Sequence, residues 1–442
     1  MSKYRTAPAS TDRMPTGIPY IIGNEAAERF SFYGMKTILA VFMTKYLMDS
    51  AGNPDLMNEG EATIWVHNFS SAVYFTPLLG SIIADAFFGK YKTIISLSLV
   101  YCLGHLALAL DETRTGLTIG LTLIAIGAGG IKGCVSAHVG DQFGKRNAGL
   151  IEKVYSWFYL SINLGAFIST LMTPWLLEAY GPSVAFGVPG LLMLIATITF
   201  WSGRREFAHV PPKGMEFIRE TFSSTGLKVM RNLILIYAMV AMFWALFDQT
   251  ASKWVFQAQK MDRNFLGMEL LPSQIQAVNP ALILILIPLF NWWLYPTISK
   301  YFPLTPLRKI SIGFFVVVPS FLIPAWIEYR IGLGESPGII WQLLSYLLLT
   351  SAEVMISVTC LEFSYTQAPR SMKSLVFGLF MASVALGNLF TSLVNTVILN
   401  EDGTSKLEGE SYYLFFAGAM FLTALLFVPV AMKYKEKTYL QE

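Results

Sequence analysis

Charge and cysteine are both scarce in this chain, and the signatures of catalysis are missing. Asp, Glu, Lys and Arg make up 14% of the 442 residues, against about 25% in soluble domains. That deficit excludes an ordinary soluble fold. The formal net charge is only +3, so no basic surface argues for nucleic acid. Cys102, Cys134 and Cys360 lie singly inside apolar runs with no C-x-x-C pair, so neither a disulfide framework nor a metal site is suggested. There is no H-E-x-x-H, no G-x-S-x-G and no aspartate pair of an intramembrane protease. An enzyme or a resident cofactor is therefore not expected. GAGGIKG (127–133) has no strand before it and reads as small residues for helix packing, not as a phosphate loop. The segment MSKYRTAPASTDRMPTG lacks an apolar stretch ending in a small-residue cleavage site, so no cleaved signal peptide is expected.

Apolar sequence is what the chain has in excess. Hydrophobic residues supply 54%, and the mean hydropathy is +0.51. Runs of about 20 apolar residues recur, each long enough for a hydrocarbon core of about 30 Å. The expectation is an all-α polytopic membrane protein with twelve spans. They fall near 19–48, 63–88, 93–110, 116–140, 153–177, 184–202, 231–258, 272–298, 308–328, 338–364, 372–399 and 411–433. The organisation expected is a tail (1–18), a six-helix bundle (19–202), a polar linker (203–230), a second six-helix bundle (231–433) and a tail (434–442). MEFIRETF in and beside the linker reads as amphipathic and too polar to cross a bilayer. Loops on one side carry 22 Lys and Arg against five on the other, which puts both termini in the cytoplasm. Six plus six spans around a cytoplasmic loop is the plan of the major facilitator superfamily. GSIIADAFFGKYKTI (80–94) resembles that superfamily's loop motif G-x-x-x-D-x-x-G-[RK]-x-[RK], matching at Gly80, Asp85, Gly89, Lys90 and Lys92. A generic basic loop is the competing reading.

Five cations fall outside the loops: Arg29, Lys36, Lys45, Lys132 and Lys253. Lys45, near the outer end of the first span, can snorkel, and Lys253, near the end of the seventh, is ambiguous. Arg29, Lys36 and Lys132 are deeper, where a charge costs at least about 2.5–3.5 kcal/mol. Their acidic counterparts are Glu25, Glu28, Asp248, Glu353 and Glu362. Residues 25, 28, 29, 32 and 36 follow the i, i+3, i+4 pattern of one helix face. Hydrocarbon would reject that face, so it is expected to border a central cavity; a purely structural ion-pair cluster is the alternative. His67 opens the apolar part of the second span. It is either a satisfied polar residue or a proton carrier.

Glu25-Ala-Ala-Glu28-Arg29-Phe30-Ser31-Phe32-Tyr33-Gly34 resembles the E-x-x-E-R-F-x-Y-Y-G motif of the proton-coupled oligopeptide transporters. FYLSINLGAF (158–167), FWALFDQTASKW (243–254), SQIQAVNP (273–280) and EVMISVTCLEFSYTQAP (353–369) are similar to further family segments, the last two to its animal-type branch. The resemblance spans both halves. It implies uptake of di- and tripeptides coupled to inward proton movement by alternating access, in the major facilitator fold.

The same resemblance implies roles for individual residues. Glu353 would hold the peptide amino group, and Lys36 and Lys132 its carboxylate. Tyr33, Tyr74, Asn163 and Asn279 would hydrogen-bond its backbone, while Trp244 and Phe380 would wall its side chains. Lys36 with Asp248 would close the outer mouth, and Lys132 with Glu353 the inner one. Glu25, Glu28, Arg29, His67 and Asp248 are the expected proton-coupling residues. Phe32 departs from the motif's usual second Tyr, and Lys36 replaces the commoner Arg, losing a bidentate fork. The linker also has no room for the two extra helices of many bacterial members. Expected partners are peptides, protons and the lipid bilayer, with function as a monomer in a bacterial inner membrane. The alternative is a transporter of the same fold for nitrate or another small anion or metabolite.

Overall fold

Helix starts follow from local capping. The Asn58 side chain accepts from the Glu61 backbone at 2.8 Å and opens α2 (Glu59–Ile83). Thr113 accepts from Gly116 ahead of α4 (Arg114–Gly140), and Thr305 precedes Pro306 at the start of α12 (Pro306–Gly332). A proline is tolerated in a first turn because its missing N–H would have had no partner there. Gly181, at φ +81, turns the chain between α5 (Ile151–Tyr180) and α6 (Pro182–Ser202); L side chains rarely adopt that backbone.

The computed structural model describes residues 4–367 and 373–434. Lys3, Arg370, Lys435, Lys437, the last two residues of the 353–369 motif and the tail after 434 lie outside them. The first half comprises α1 (Ile18–Lys45), α2, α3 (Lys90–Leu110), α4, α5 and α6. A short helix, α7 (Met215–Thr221), falls on the amphipathic stretch of the linker. The second half comprises α8 (Ser224–Phe247), α9 (Lys253–Gln259), α10 (Val278–Leu289), α11 (Tyr295–Ser299), α12, α13 (Ile340–Glu353), α14 (Thr359–Thr366), α15 (Lys373–Ile398) and α16 (Glu410–Lys433). Each half buries its own apolar cluster.

Eleven helical stretches among the described residues are long and apolar enough to cross a membrane. The twelfth span is α1, 28 residues long and so about 42 Å, whose charges set it apart. Among the described residues, the expected second span ends in a π-helical turn, Ala84–Phe88, and three more depart from a continuous α-helix within their length. The seventh breaks after α8 into a 3₁₀ turn, Asp248–Ala251, and resumes at α9 beyond Ser252. Gln249 and Thr250 side chains bond back to the carbonyls of Ala245 and Phe247 there, competing with the helical ladder. The eighth and tenth carry π-helical turns at Phe290–Leu294 and Val354–Val358. The linker ends earlier than the expected 230, because Ser223 caps α8 through the Gly226 amide.

The packing discloses an internal repeat that the sequence hides. α5 packs on α1, and α15 packs on α8, so the fifth helix of each half lies on its first. Glycine makes both contacts possible: a Cβ on Gly165 would stand 2.7 Å from the Ala26 carbonyl oxygen, and one on Gly387 2.7 Å from the Ala245 nitrogen. Small residues at such crossings let helix backbones approach. The two halves meet along α2 and α15 on one side and α5 and α10 on the other.

Candidate functional site

Between the halves lies a cavity of about 530 Å³. All nine residues expected to bind substrate line it: Tyr33, Lys36, Tyr74, Lys132, Asn163, Trp244, Asn279, Glu353 and Phe380. The α1 stripe divides. Glu25, Arg29, Tyr33 and Lys36 border the cavity, whereas Glu28 and Phe32 are buried outside its lining. The expected single polar face is therefore a polar wall with an acid and an aromatic ring packed behind it.

Ion pairing on α1 is local. Arg29 Nε donates to Glu25 Oε1 at 2.6 Å. It also stands 3.1 Å from Glu28 Oε2, without the alignment of a hydrogen bond. Neither Glu28 oxygen accepts a hydrogen bond from a described residue. Arg29 thus compensates two buried carboxylates but satisfies only one of them. Protonating Glu28 would break no hydrogen bond.

Lys36 reaches across the halves to Asp248, 2.7 Å away. Both are buried, and removing one partner of such a pair costs about 3–5 kcal/mol. The pair belongs to a longer chain of contacts. Asn388 Nδ2 donates to Asp248 Oδ2 at 2.6 Å, and its Oδ1 meets His67 Nδ1 at 2.7 Å. Since that amide nitrogen also donates to the Val384 carbonyl, the oxygen must face the ring, and His67 Nδ1 carries the proton. His67 Nε2 meets Ser252 Oγ at 3.0 Å. In the neutral imidazole it accepts from that hydroxyl; in the charged form the hydroxyl must turn away. Four segments are joined: α1, the 3₁₀ turn and its following Ser252, α15 and α2.

Lys132 and Glu353, expected to pair, do not meet. Lys132 Nζ stands 3.6 Å from the centroid of the Phe32 ring and donates to no partner in hydrogen-bonding range among the described residues. A desolvated cation on an aromatic face gains about 2 kcal/mol or more, which accounts for the burial of Phe32 behind the wall. Glu353 Oε2 instead accepts from Asn279 Nδ2 at 2.7 Å, and the π-helical turn begins at the next residue. The residues that could pair occupy corresponding places in the repeat. Lys36 and Asp248 lie on the first span of each half, Lys132 and Glu353 on the fourth.

Asn388 and Ser252 were missed by sequence reasoning. Ser252 sits in the recognised segment 243–254 without an assigned role, and the only signal for Asn388 is an amide inside the apolar run SVALGNLF. In the loop motif, Gly89 adopts φ +77 and Lys90 bridges Asp85 (3.7 Å) and Asp141 (2.8 Å). Lys45 ends α1, exposed.

The sequence model of the POT family matches residues 91–225 and 217–411. The chain belongs to the POT family. It is 37% identical to Peptide transporter family 1 of Drosophila melanogaster over 363 residues, covering 72% of this chain and 48% of that protein. Against Solute carrier family 15 member 2 of Homo sapiens it is 37% identical over 396 residues, 78% of this chain and 53% of that one. The chain spans about half the length of the curated relatives it matches. Among solved structures, an auto inhibited POT family peptide transporter is 35% identical, with a TM-score of 0.86 over 97% of this chain and 99% of that one. The POT family transporter PepTSo is also 35% identical, with a TM-score of 0.87 over 96% and 99%. The chain is an integral membrane protein of the major facilitator fold, with two six-helix bundles.

Proposed function

We propose that the chain is a proton-coupled symporter that imports di- and tripeptides by alternating access. The carrying observation is the cavity between the halves, with Lys36 and Lys132 on one half and Glu353 on the other. A zwitterionic peptide needs cations for its carboxylate and an acid for its ammonium, and this cavity offers both. Its volume of about 530 Å³ falls in the range of small-ligand sites, about 300–1,000 Å³. Nitrate or another simple anion would leave Glu353 facing it without a counter-charge. Relatives named as peptide transporters support the same reading.

Tyr33, Tyr74, Asn163 and Asn279 hydrogen-bond the peptide backbone, and Trp244 and Phe380 wall its side chains. In the state described, the Lys36–Asp248 latch is closed and Lys132 and Glu353 are apart. We assign the latch to the outer gate and the parted pair to the inner one. Glu25, Glu28, Arg29, His67 and Asp248 carry the coupling proton: neutralising a carboxylate frees its cation and shifts the balance between the two gates. No resident cofactor is needed. The basic-loop face and both termini are placed in the cytoplasm, with a monomer acting in a bacterial inner membrane.

The test is uptake in proteoliposomes. Dialanine should accumulate above equilibrium only when an inward proton gradient is imposed, and nitrate should neither accumulate nor compete. Proton-independent equilibration of dialanine would remove the symport reading, and accumulation of nitrate instead would replace it.

A further inference from the structure

A second polar chamber lies on the outer side, away from the central cavity. It has a volume of about 420 Å³ and straddles the seam between the halves, with α2 on one side and α9, α12, α15 and α16 on the other. Its charged lining comprises Lys253, Lys260, Glu59, Glu328 and Glu408. Lys260 Nζ stands 3.4 Å from Glu59 at the exposed rim. Glu328 accepts the Gln257 amide at 3.1 Å, and that amide is pinned by the Pro324 carbonyl. Lys253 meets no carboxylate within ion-pair distance among the described residues. Its Nζ lies 4.8 Å over the ring of Tyr412, and Tyr413 holds its carbonyl at 3.2 Å; both tyrosines are buried.

We propose that this chamber is an outer capture site for zwitterionic peptides, with Lys253 taking the carboxylate and Glu328 the ammonium. The inference rests on the peptide-transport reading above. Lys253 lies on a buried aromatic floor and has no carboxylate within ion-pair distance among the described residues, which leaves its amine for a ligand's carboxylate. With three carboxylates against two ammonium groups, the lining disfavours a bare anion and favours a ligand carrying both signs. A charge-assisted contact at each end is the stronger kind of hydrogen bond.

The position of Lys253 also gives the site a consequence. It directly follows Ser252, whose hydroxyl meets His67 and so belongs to the contact chain through Asn388 to Asp248 and Lys36. A carboxylate drawing on Lys253 acts on the residue beside that latch. Capture in the chamber is thereby joined to the opening of the outer gate.

The experiment is equilibrium dialysis of radiolabelled dialanine with the full chain in detergent. Four proteins are compared: the unaltered chain, Glu353→Gln, Lys253→Met, and the two substitutions together. The unaltered chain should bind two equivalents, each single variant one, and the double variant none. Lys253→Arg should recover the outer equivalent, separating loss of charge from loss of folding, and melting curves identify any misfolded variant. One equivalent on the unaltered chain and none on Glu353→Gln would overturn the capture site while leaving the central site intact. Binding at Glu353→Gln that Lys253→Met does not remove would also overturn it. No dialanine bound by the unaltered chain would instead reject the peptide reading on which both sites stand.

Discussion

Replacing Asp248 by Asn should open the outer face. The substitution keeps the shape of the side chain but removes its charge, leaving Lys36 buried without its anion and Asn388 without its charged acceptor. Loss of one partner of a buried pair costs about 3–5 kcal/mol. That cost falls on the closed-latch state, because opening the outer mouth returns Lys36 to water. At about 1.4 kcal/mol per tenfold, the population ratio moves by roughly two to three and a half powers of ten toward the outward-open state. The assay is the distance between nitroxides at Ala51→Cys and Leu266→Cys, both exposed, in the α1–α2 loop of one half and the α9–α10 loop of the other. Cys102→Ser is included, since Cys134 and Cys360 are buried and Cys102 is not fully so. The distribution should shift to longer distances in the Asp248→Asn protein. A Lys36→Met/Asp248→Leu protein should shift back, since an apolar pair of similar volume leaves no unpaired charge. Identical distributions for the unaltered and Asp248→Asn proteins would refute the latch.

Three further outcomes follow from the same geometry. Glu353→Gln should weaken central dialanine binding by roughly 10–100-fold, the worth of a hydrogen bond to a charged group at about 1.5–3 kcal/mol; unchanged affinity in a Lys253→Met background would take Glu353 out of the ammonium role. His67→Gln should abolish proton-driven accumulation of dialanine while leaving exchange of labelled for unlabelled dialanine measurable, and normal accumulation would make His67 a packing residue. Gly387→Val would force a branched side chain against the Ala241 carbonyl and the Ala245 nitrogen; overpacking of that kind costs about 1–3 kcal/mol, and an unchanged melting temperature would show that α8 and α15 can separate without loss.

The legible part of this protein is the part that physics makes conspicuous. Charges on α1, α4 and the seventh and tenth spans stood out because hydrocarbon rejects them, and the resemblance then suggested roles for them. The nine residues expected in that way to bind substrate line one cavity. What stayed hidden has identifiable causes. Asn388 is a neutral amide in an apolar run, so neither charge nor periodicity marks it, yet it joins His67 to Asp248. The break at Ser252 comes from side chains competing locally with the helical ladder, which a count of apolar residues does not register, and the same count is blind to the π-helical turn after Glu353. Lys132 and Glu353 were expected to pair on charge alone, and the neutral neighbours that hold them apart, the Phe32 ring and the Asn279 amide, carry no charge signal in the sequence. Phe32 was visible as a departure from the motif, but its partner became clear only when Lys132 was found over its ring.

The coupling of peptide to proton is the central claim, and coupling between two ligands is reciprocal. A peptide gradient alone must therefore drive protons. With a pH-sensitive dye sealed inside proteoliposomes at equal internal and external pH, adding dialanine outside should acidify the lumen. The Glu353→Gln protein should give no acidification. Entry of labelled dialanine into vesicles of the unaltered protein with no change in lumenal pH would contradict the account.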